Sequence, residues 1–347
     1  MNIDLLNIVS RSLEKTNLNN IQKDFMDLLS TIKKQKSKNI ILGNGFSSVP
    51  KEFLLGEINQ ILKTQTLDRT KYYIKRLKKS LTETKQSKIN DLNLNRWKEY
   101  DDIITDSLWI LNKRDNSGIH HAGYWGNFIP QIPNQLLRRY TKKEEWILDP
   151  FLGSGTSLIE AQRLGRNAVG IELSKNVLDQ TKKNVKKESN PHKAKLEFVN
   201  GNSSSFDLKK ILEPLKINSF QFQIFHPPYW DIIKFSDSKS DLSNAKSIEE
   251  FLKSFGKVLD NCLPFLDKQR YAAVVISDKY SNGEWISLGF YVMQEFLKRG
   301  MILKSTIVKN FEETTAKRNQ KELWRYRALA GGFYVFKHEY IFVFQKK

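Results

Sequence analysis

Asp149-Pro150-Phe151-Leu152-Gly153-Ser154-Gly155-Thr156 lies between an apolar run, Trp146-Ile147-Leu148, and residues 157–165, which keep helical spacing and close on glycine. The order is therefore strand, glycine-rich turn, helix. Such a turn brings backbone close to a ligand and aims the helix N-terminus at it. A dinucleotide fingerprint would continue as G-x-G-x-x-G, but Leu158 stands at the third glycine position. Asp149 also precedes the glycines, where a carboxylate repels pyrophosphate and suits an ammonium. Glu172 ends the next apolar run, residues 167–173, where a carboxylate accepts from ribose hydroxyls. The pattern fits a nucleoside joined to an amino acid better than a dinucleotide.

Working outward, residues 195–202, 220–230, 271–278, 301–311 and 338–347 read as further strands. Residues 247–266 and 289–300 read as helices. Strands alternating with helices predict an α/β fold, a Rossmann-like doubly wound sheet. The last two strands have no helix between them, which predicts an antiparallel C-terminal edge hairpin. Residues 1–108 read as a helical, basic N-terminal region, with a loop expected over residues 43–50, and residues 109–347 as one domain. The chain has 347 residues and a formal net charge of +19, which suggests a polyanionic partner such as nucleic acid without separating DNA from RNA. No apolar stretch is long enough to span a membrane, and the first residues lack the pattern of a signal peptide, so a cytoplasmic location is expected. Cys262 is the single cysteine, which leaves no internal disulfide and no cysteine metal cluster.

Two motifs carry a resemblance. Asp149–Thr156, DPFLGSGT, resembles the D-P-F-x-G-S-G-T cofactor motif of the amino-directed DNA methyltransferases, which act on adenine N6 or cytosine N4. His226-Pro227-Pro228-Tyr229, at the end of the fourth strand, resembles their [D/N/S]-P-P-[Y/F/W] motif, with histidine as a departure at the first position. The resemblance covers residues 109–347 and implies a class I domain using S-adenosylmethionine, with no metal. It places Asp149, Phe151, Gly153 and Gly155 at the methionine end of that cofactor, Thr156 at the helix start and Glu172 on the ribose. Asn202 stands where the family carries an acid for the adenine amino group. Residues 121–141 resemble a segment that packs over the methionine, with Phe128, Pro130 and Gln131 as contacts.

The chemistry explains the second motif. An aryl amine is a weak nucleophile because its lone pair is delocalised into the ring. Two acceptors gripping its hydrogens favour a pyramidal, nucleophilic nitrogen. The prolines hold the backbone extended, so the carbonyl of Pro227 can be one acceptor. His226 can be the other only as a neutral, correctly oriented imidazole. Tyr229 is expected to stack on an extruded base, and Trp230 to stack beside it or wall the pocket.

Residues 309–332 form a long basic connection, expected as a loop, in which Lys317, Arg318, Arg325 and Arg327 are candidates for phosphates or guanine edges. Residues 231–247 could close over the base. Asp278 reads either as a pocket residue or as a turn cap, and His338 and Glu339 as structural. The resemblance implies double-stranded DNA as substrate and allows a separate restriction endonuclease as partner. An RNA guanine-N2 methyltransferase and a decayed DNA-binding module stay open as alternatives. Cytosine C5 chemistry is disfavoured, since it needs a cysteine beside proline in the catalytic loop.

Overall fold

A computed structural model of the chain describes residues 4–41, 48–120, 126–310 and 321–347. It divides into two compact units, Met1–Ile103 and Ile104–Lys347.

The first unit is built on helices α1 (Leu5–Glu14), α2 (Leu18–Lys34), α3 (Lys51–Leu62) and α4 (Leu67–Thr82). Asn17 and Thr66 cap α2 and α4 by accepting from backbone N–H groups of the first turn. One apolar stripe of each helix meets in a core that includes Leu5, Phe25, Ile58 and Ile74. Within the stretch expected as a loop, Ser48–Pro50 instead forms strand β2, which pairs antiparallel with β1 (Asn39–Ile41) and buries Val49. Residues 43–47 of that expected loop lie outside the described residues.

The second unit is a Rossmann-like doubly wound α/β domain. Its strands are β3 (Leu108–Trp109), β4 (Trp146–Asp149), β5 (Asn167–Glu172), β6 (Leu196–Asn200), β7 (Phe220–Phe225), β8 (Leu266–Ile276), β11 (Ile302–Asn310) and β12 (His338–Gln345), with the small pair β9 (Lys279–Ser281) and β10 (Glu284–Ile286) outside the sheet. The sheet order is β3-β11-β12-β8-β7-β4-β5-β6, and β12 alone runs antiparallel to its neighbours. The C-terminal hairpin pairs as expected, and the two-residue β3 adds one more strand outside β11. Helices α5 (Gln131–Tyr140), α6 (Thr156–Leu164) and α7 (Lys175–Val185) accompany β4 to β6, α8 (Lys209–Leu215) precedes β7, and α9 (Ile248–Cys262) and α10 (Leu288–Lys298) pack over β8 and β12. β12 is buried on both faces, which is why its sequence is an almost unbroken apolar run. No described helix is long and apolar enough to cross a membrane.

One expectation changes. Residues 321–331, read as part of a loop, form helix α11 (Lys321–Gly331). The segment is rich in good helix formers, contains no proline and carries Glu322 in its first turn, so local propensity alone favours the helix.

Candidate active site

Asp149, Glu172, Asn202 and His226 stand at or just beyond the carboxyl ends of the neighbouring parallel strands β4, β5, β6 and β7. That is the edge where open α/β sheets bind ligands. All four border one cavity of about 950 Å³, including the solvent at its mouth. Phe128, Phe151, Gly153, Thr156 and Pro227 border it as well.

The turn after β4 explains the local geometry. Asp149 is buried, accepting from Phe151 N at 2.9 Å and from the Ser157 hydroxyl. Burial, joined by the nearby Glu172, pushes its pKa up to about 6 against the lowering effect of those bonds. Glu172 accepts from Gly153 N and Ser174 N, both at 2.9 Å, so one carboxylate ties the glycine turn to the end of β5. Burial raises its pKa too, opposed by those backbone bonds and reinforced by Asp241. Gly155 faces away from the cavity: a Cβ there would lie 2.7 Å from Thr181 Cγ2 in α7, and its φ of 78° favours glycine. The missing side chain thus lets the turn before α6 approach Thr181 and Val185 of α7.

Asn202 Oδ1 accepts from Ser204 N and Ser204 Oγ at 3.0 and 2.9 Å, so in this arrangement its oxygen closes a turn. Phe128 lies against the His226 ring, 4.7 Å between centroids. Pro130 caps α5, while Gln131 binds Lys113 O and Asp115 N and does not border the cavity. Arg114 escaped the sequence reading. Its Nη1 donates to the Phe128 carbonyl at 3.1 Å, and its buried Nε and Nη2 have no hydrogen-bond partner among the described residues. Nothing in its sequence spacing marks it.

The HPPY turn reaches in the other direction. Burial pushes the pKa of His226 down to about 3, and Lys309 adds to the effect, so the imidazole is neutral at working pH. Its Nε2 lies 3.2 Å from the Tyr229 hydroxyl, which donates to Glu339 Oε2 at 2.9 Å. Burial and Glu339 both push the Tyr229 pKa well up. Glu339 in turn pairs with Lys309 at 2.9 Å. The hydroxyl of the tyrosine expected to stack on a base thus points towards β12. Trp230 donates to Ala245 O at 2.9 Å and lies under Lys279 Nζ, 4.3 Å from its centroid, which makes it a wall of the loop that follows. Phe235, Ser240 and Asp241 of that loop border the cavity.

Other candidates lie elsewhere. Asp278 is a cap: it accepts from Gly289 N at the start of α10, from Trp285 Nε1 and from the Tyr340 hydroxyl. Cys262 is buried at the end of α9, where burial pushes its thiol pKa up, and it does not border the cavity. Arg325 and Arg327 are exposed on α11 beside exposed Tyr326 and Leu329. Lys317 and Arg318 lie outside the described residues.

Comparison with known proteins adds the following. The profile of a family described as DNA methylase matches residues 9–183 and 220–347. The Type II methyltransferase M.MjaII of Methanocaldococcus jannaschii is 44% identical over 57 residues, 16% of this chain and 10% of that protein. The Type II methyltransferase M2.DpnII of Streptococcus pneumoniae is 36% identical over 100 residues, 28% of this chain and 34% of its own length. MJ1649 of Methanocaldococcus jannaschii, provisionally named a ribosomal RNA large subunit methyltransferase, is 25% identical over 242 residues, 67% of this chain and 56% of that protein. The chain thus spans between 10% and 56% of the length of these relatives.

Proposed function

The chain belongs to the DNA methylase family, and on that premise we propose that it transfers a methyl group from S-adenosylmethionine to the exocyclic amine of adenine (N6) or cytosine (N4) in double-stranded DNA. One observation carries the reading: a neutral His226, followed by two prolines, borders the same cavity as two carboxylates suited to an amino-acid nucleoside.

S-adenosylmethionine is the family's methyl donor, and when bound it supplies an electrophilic methyl on a sulfonium. The residues fit it. Asp149 takes the ammonium, and Glu172 takes the ribose hydroxyls with the lone pairs left by Gly153 and Ser174. Phe128 and Phe151 supply apolar walls that keep water from the transfer. His226 and the Pro227 carbonyl accept the two hydrogens of the target amine and leave its lone pair free to attack. Catalysis then rests on positioning, with the cavity holding amine and methyl in line. Burial of Cys262 away from the cavity supports an amine over cytosine C5 as the target.

Residues 109–347 form the catalytic domain in this reading. Helix α11, with exposed Arg325, Arg327 and Tyr326, meets the DNA together with Lys317 and Arg318, and the basic N-terminal region adds phosphate contacts. The reading allows a separate restriction endonuclease as partner.

The test is transfer of tritiated methyl to unmethylated genomic DNA and, separately, to total RNA, followed by digestion to nucleosides. Label in N6-methyladenine or N4-methylcytosine from DNA is expected. Label in RNA alone, the reading to which the MJ1649 likeness points, overturns the DNA assignment.

A pH dependence follows from Asp149. Its ionised form is the one that pairs with the ammonium, and its pKa in the free protein is pushed up to about 6. Binding therefore weakens as pH falls through that value. Calorimetry at pH 7.5 and 5 should show Kd for S-adenosylmethionine rising by about tenfold, one decade per pH unit below the pKa. In Asp149→Asn the dependence should vanish. A flat profile in the wild type removes Asp149 from the ammonium site.

A further inference from the structure

Lys309 and Glu339 are direct cross-strand partners on β11 and β12. Both side chains are only 5% exposed, and they form an ion pair at 2.9 Å. β12 is otherwise apolar through Ile341–Phe344. A buried ion pair at such a place gives little net stability compared with a well-packed apolar pair. What it does here is fix the direction of every hydrogen bond that leaves it.

The directions follow one another. A carboxylate only accepts. Glu339 Oε1 receives the Lys309 ammonium, and Oε2 receives the Tyr229 hydroxyl at 2.9 Å. The phenol has a single proton, now committed to Glu339, so its oxygen faces His226 as an acceptor. His226 Nε2, 3.2 Å away, must then carry the ring's N–H. A neutral imidazole has one N–H, which leaves Nδ1 as a bare acceptor. Nδ1 has no hydrogen-bond partner among the described residues, and His226 borders the cavity.

We propose that Glu339 and Lys309 are positioning residues that set the tautomer of His226 through Tyr229, so that Nδ1 is presented bare to the substrate amine. The proposal rests on the methyl-transfer reading above for its consequence, while the tautomer itself is a property of the free protein. Without the carboxylate, Tyr229 is free to turn its proton towards Nε2. The ring proton then moves to Nδ1, and an N–H donor faces an N–H donor. A histidine can in this way do the work of the acidic or amide side chain that the motif more often carries, provided β12 tells it which nitrogen to protonate.

The experiment uses protein labelled with 15N in the histidine rings, without DNA or S-adenosylmethionine. Long-range 1H–15N spectra distinguish the two neutral tautomers, and the His226 signals are identified by their loss in His226→Asp. Wild type should show Nδ1 unprotonated and Nε2 protonated between pH 6 and 8. Finding the proton on Nδ1 overturns the proposal at once, whatever the activity. Lys309→Met/Glu339→Leu replaces the pair with apolar side chains of similar size. It should populate the other tautomer and lower kcat by about 10- to 100-fold with KM for S-adenosylmethionine little changed. The same double change in a His226→Asp background should cost far less, because a carboxylate has no tautomer to set. An equal loss in both backgrounds means the pair only holds the fold, and overturns the proposal. The expected tautomer without any methyl transfer to DNA would sink the DNA reading and leave the tautomer assignment standing.

Discussion

His226→Leu should lower kcat by about 10²- to 10³-fold while S-adenosylmethionine still binds, the scale set by removing one hydrogen-bonding group aimed at a reacting centre. The substitution is clean for a physical reason. His226 is neutral, so no buried charge is stranded, and leucine keeps an apolar surface against Phe128. Tyr229 keeps its bond to Glu339. In the proposed reading, what disappears is one of the two acceptors on the amine, leaving the Pro227 carbonyl alone. Single-turnover methyl transfer reads the chemical step, and calorimetry with S-adenosylmethionine reads binding. A loss below about tenfold would mean that the main-chain carbonyl carries the amine and that histidine at this position is packing.

Phe255→Ala should destabilise the larger unit by about 3–5 kcal/mol, the range for deleting a buried aromatic. Phe255 is wholly buried in α9 at the centre of an aromatic cluster, with ring centroids of Phe251, Phe151, Phe296 and Phe225 at 6.3, 6.3, 6.0 and 6.5 Å. Strands β7 and β12 and helices α9 and α10 all pack into this cluster, so the void left behind has no single element free to collapse into it. Thermal unfolding followed by circular dichroism should show the transition of this unit falling by about 10 °C. Phe151, which borders the cavity, loses its support, so S-adenosylmethionine should bind more weakly as well. A shift of less than about 1 kcal/mol would mean that the cluster repacks around the smaller side chain.

These two positions differ in how far sequence could reach them. The turn at residues 149–156 was legible because strand, glycines and helix are contiguous, and because each residue's chemistry could be judged against its neighbours. The alternation of strands and helices was legible for the same reason. Two of the expected site residues were not. Gly155 reads as a ligand-lining glycine, yet what it meets is Thr181 on α7. Asn202 reads as a ligand acceptor, yet its oxygen is engaged by Ser204 two residues on. Both depend on side-chain directions that spacing does not encode. The partners of His226 are less visible still. Tyr229 and Glu339 are separated by 110 residues, and Lys309 meets Glu339 only through the register of β11 with β12. Glu339, read as structural, accepts from the Tyr229 hydroxyl that lies 3.2 Å from His226. For helix α11, the charge and length of the connection point to a loop, while its helix formers favour the helix it adopts.

The place of β12 governs the order in which the molecule comes into being. It is made late, after β8 and β11, yet it lies between them and hydrogen-bonds to both. On the ribosome, a nascent chain that has emerged only as far as residue 337 holds two strands with open edges and no Glu339. Such edges are prone to pair with other chains, so an interrupted translation product invites clearance or aggregation. Sheet closure and completion of the histidine's support are the same event. A partly translated chain lacking residues 338–345 has neither the closed sheet nor the Glu339 carboxylate that Tyr229 meets.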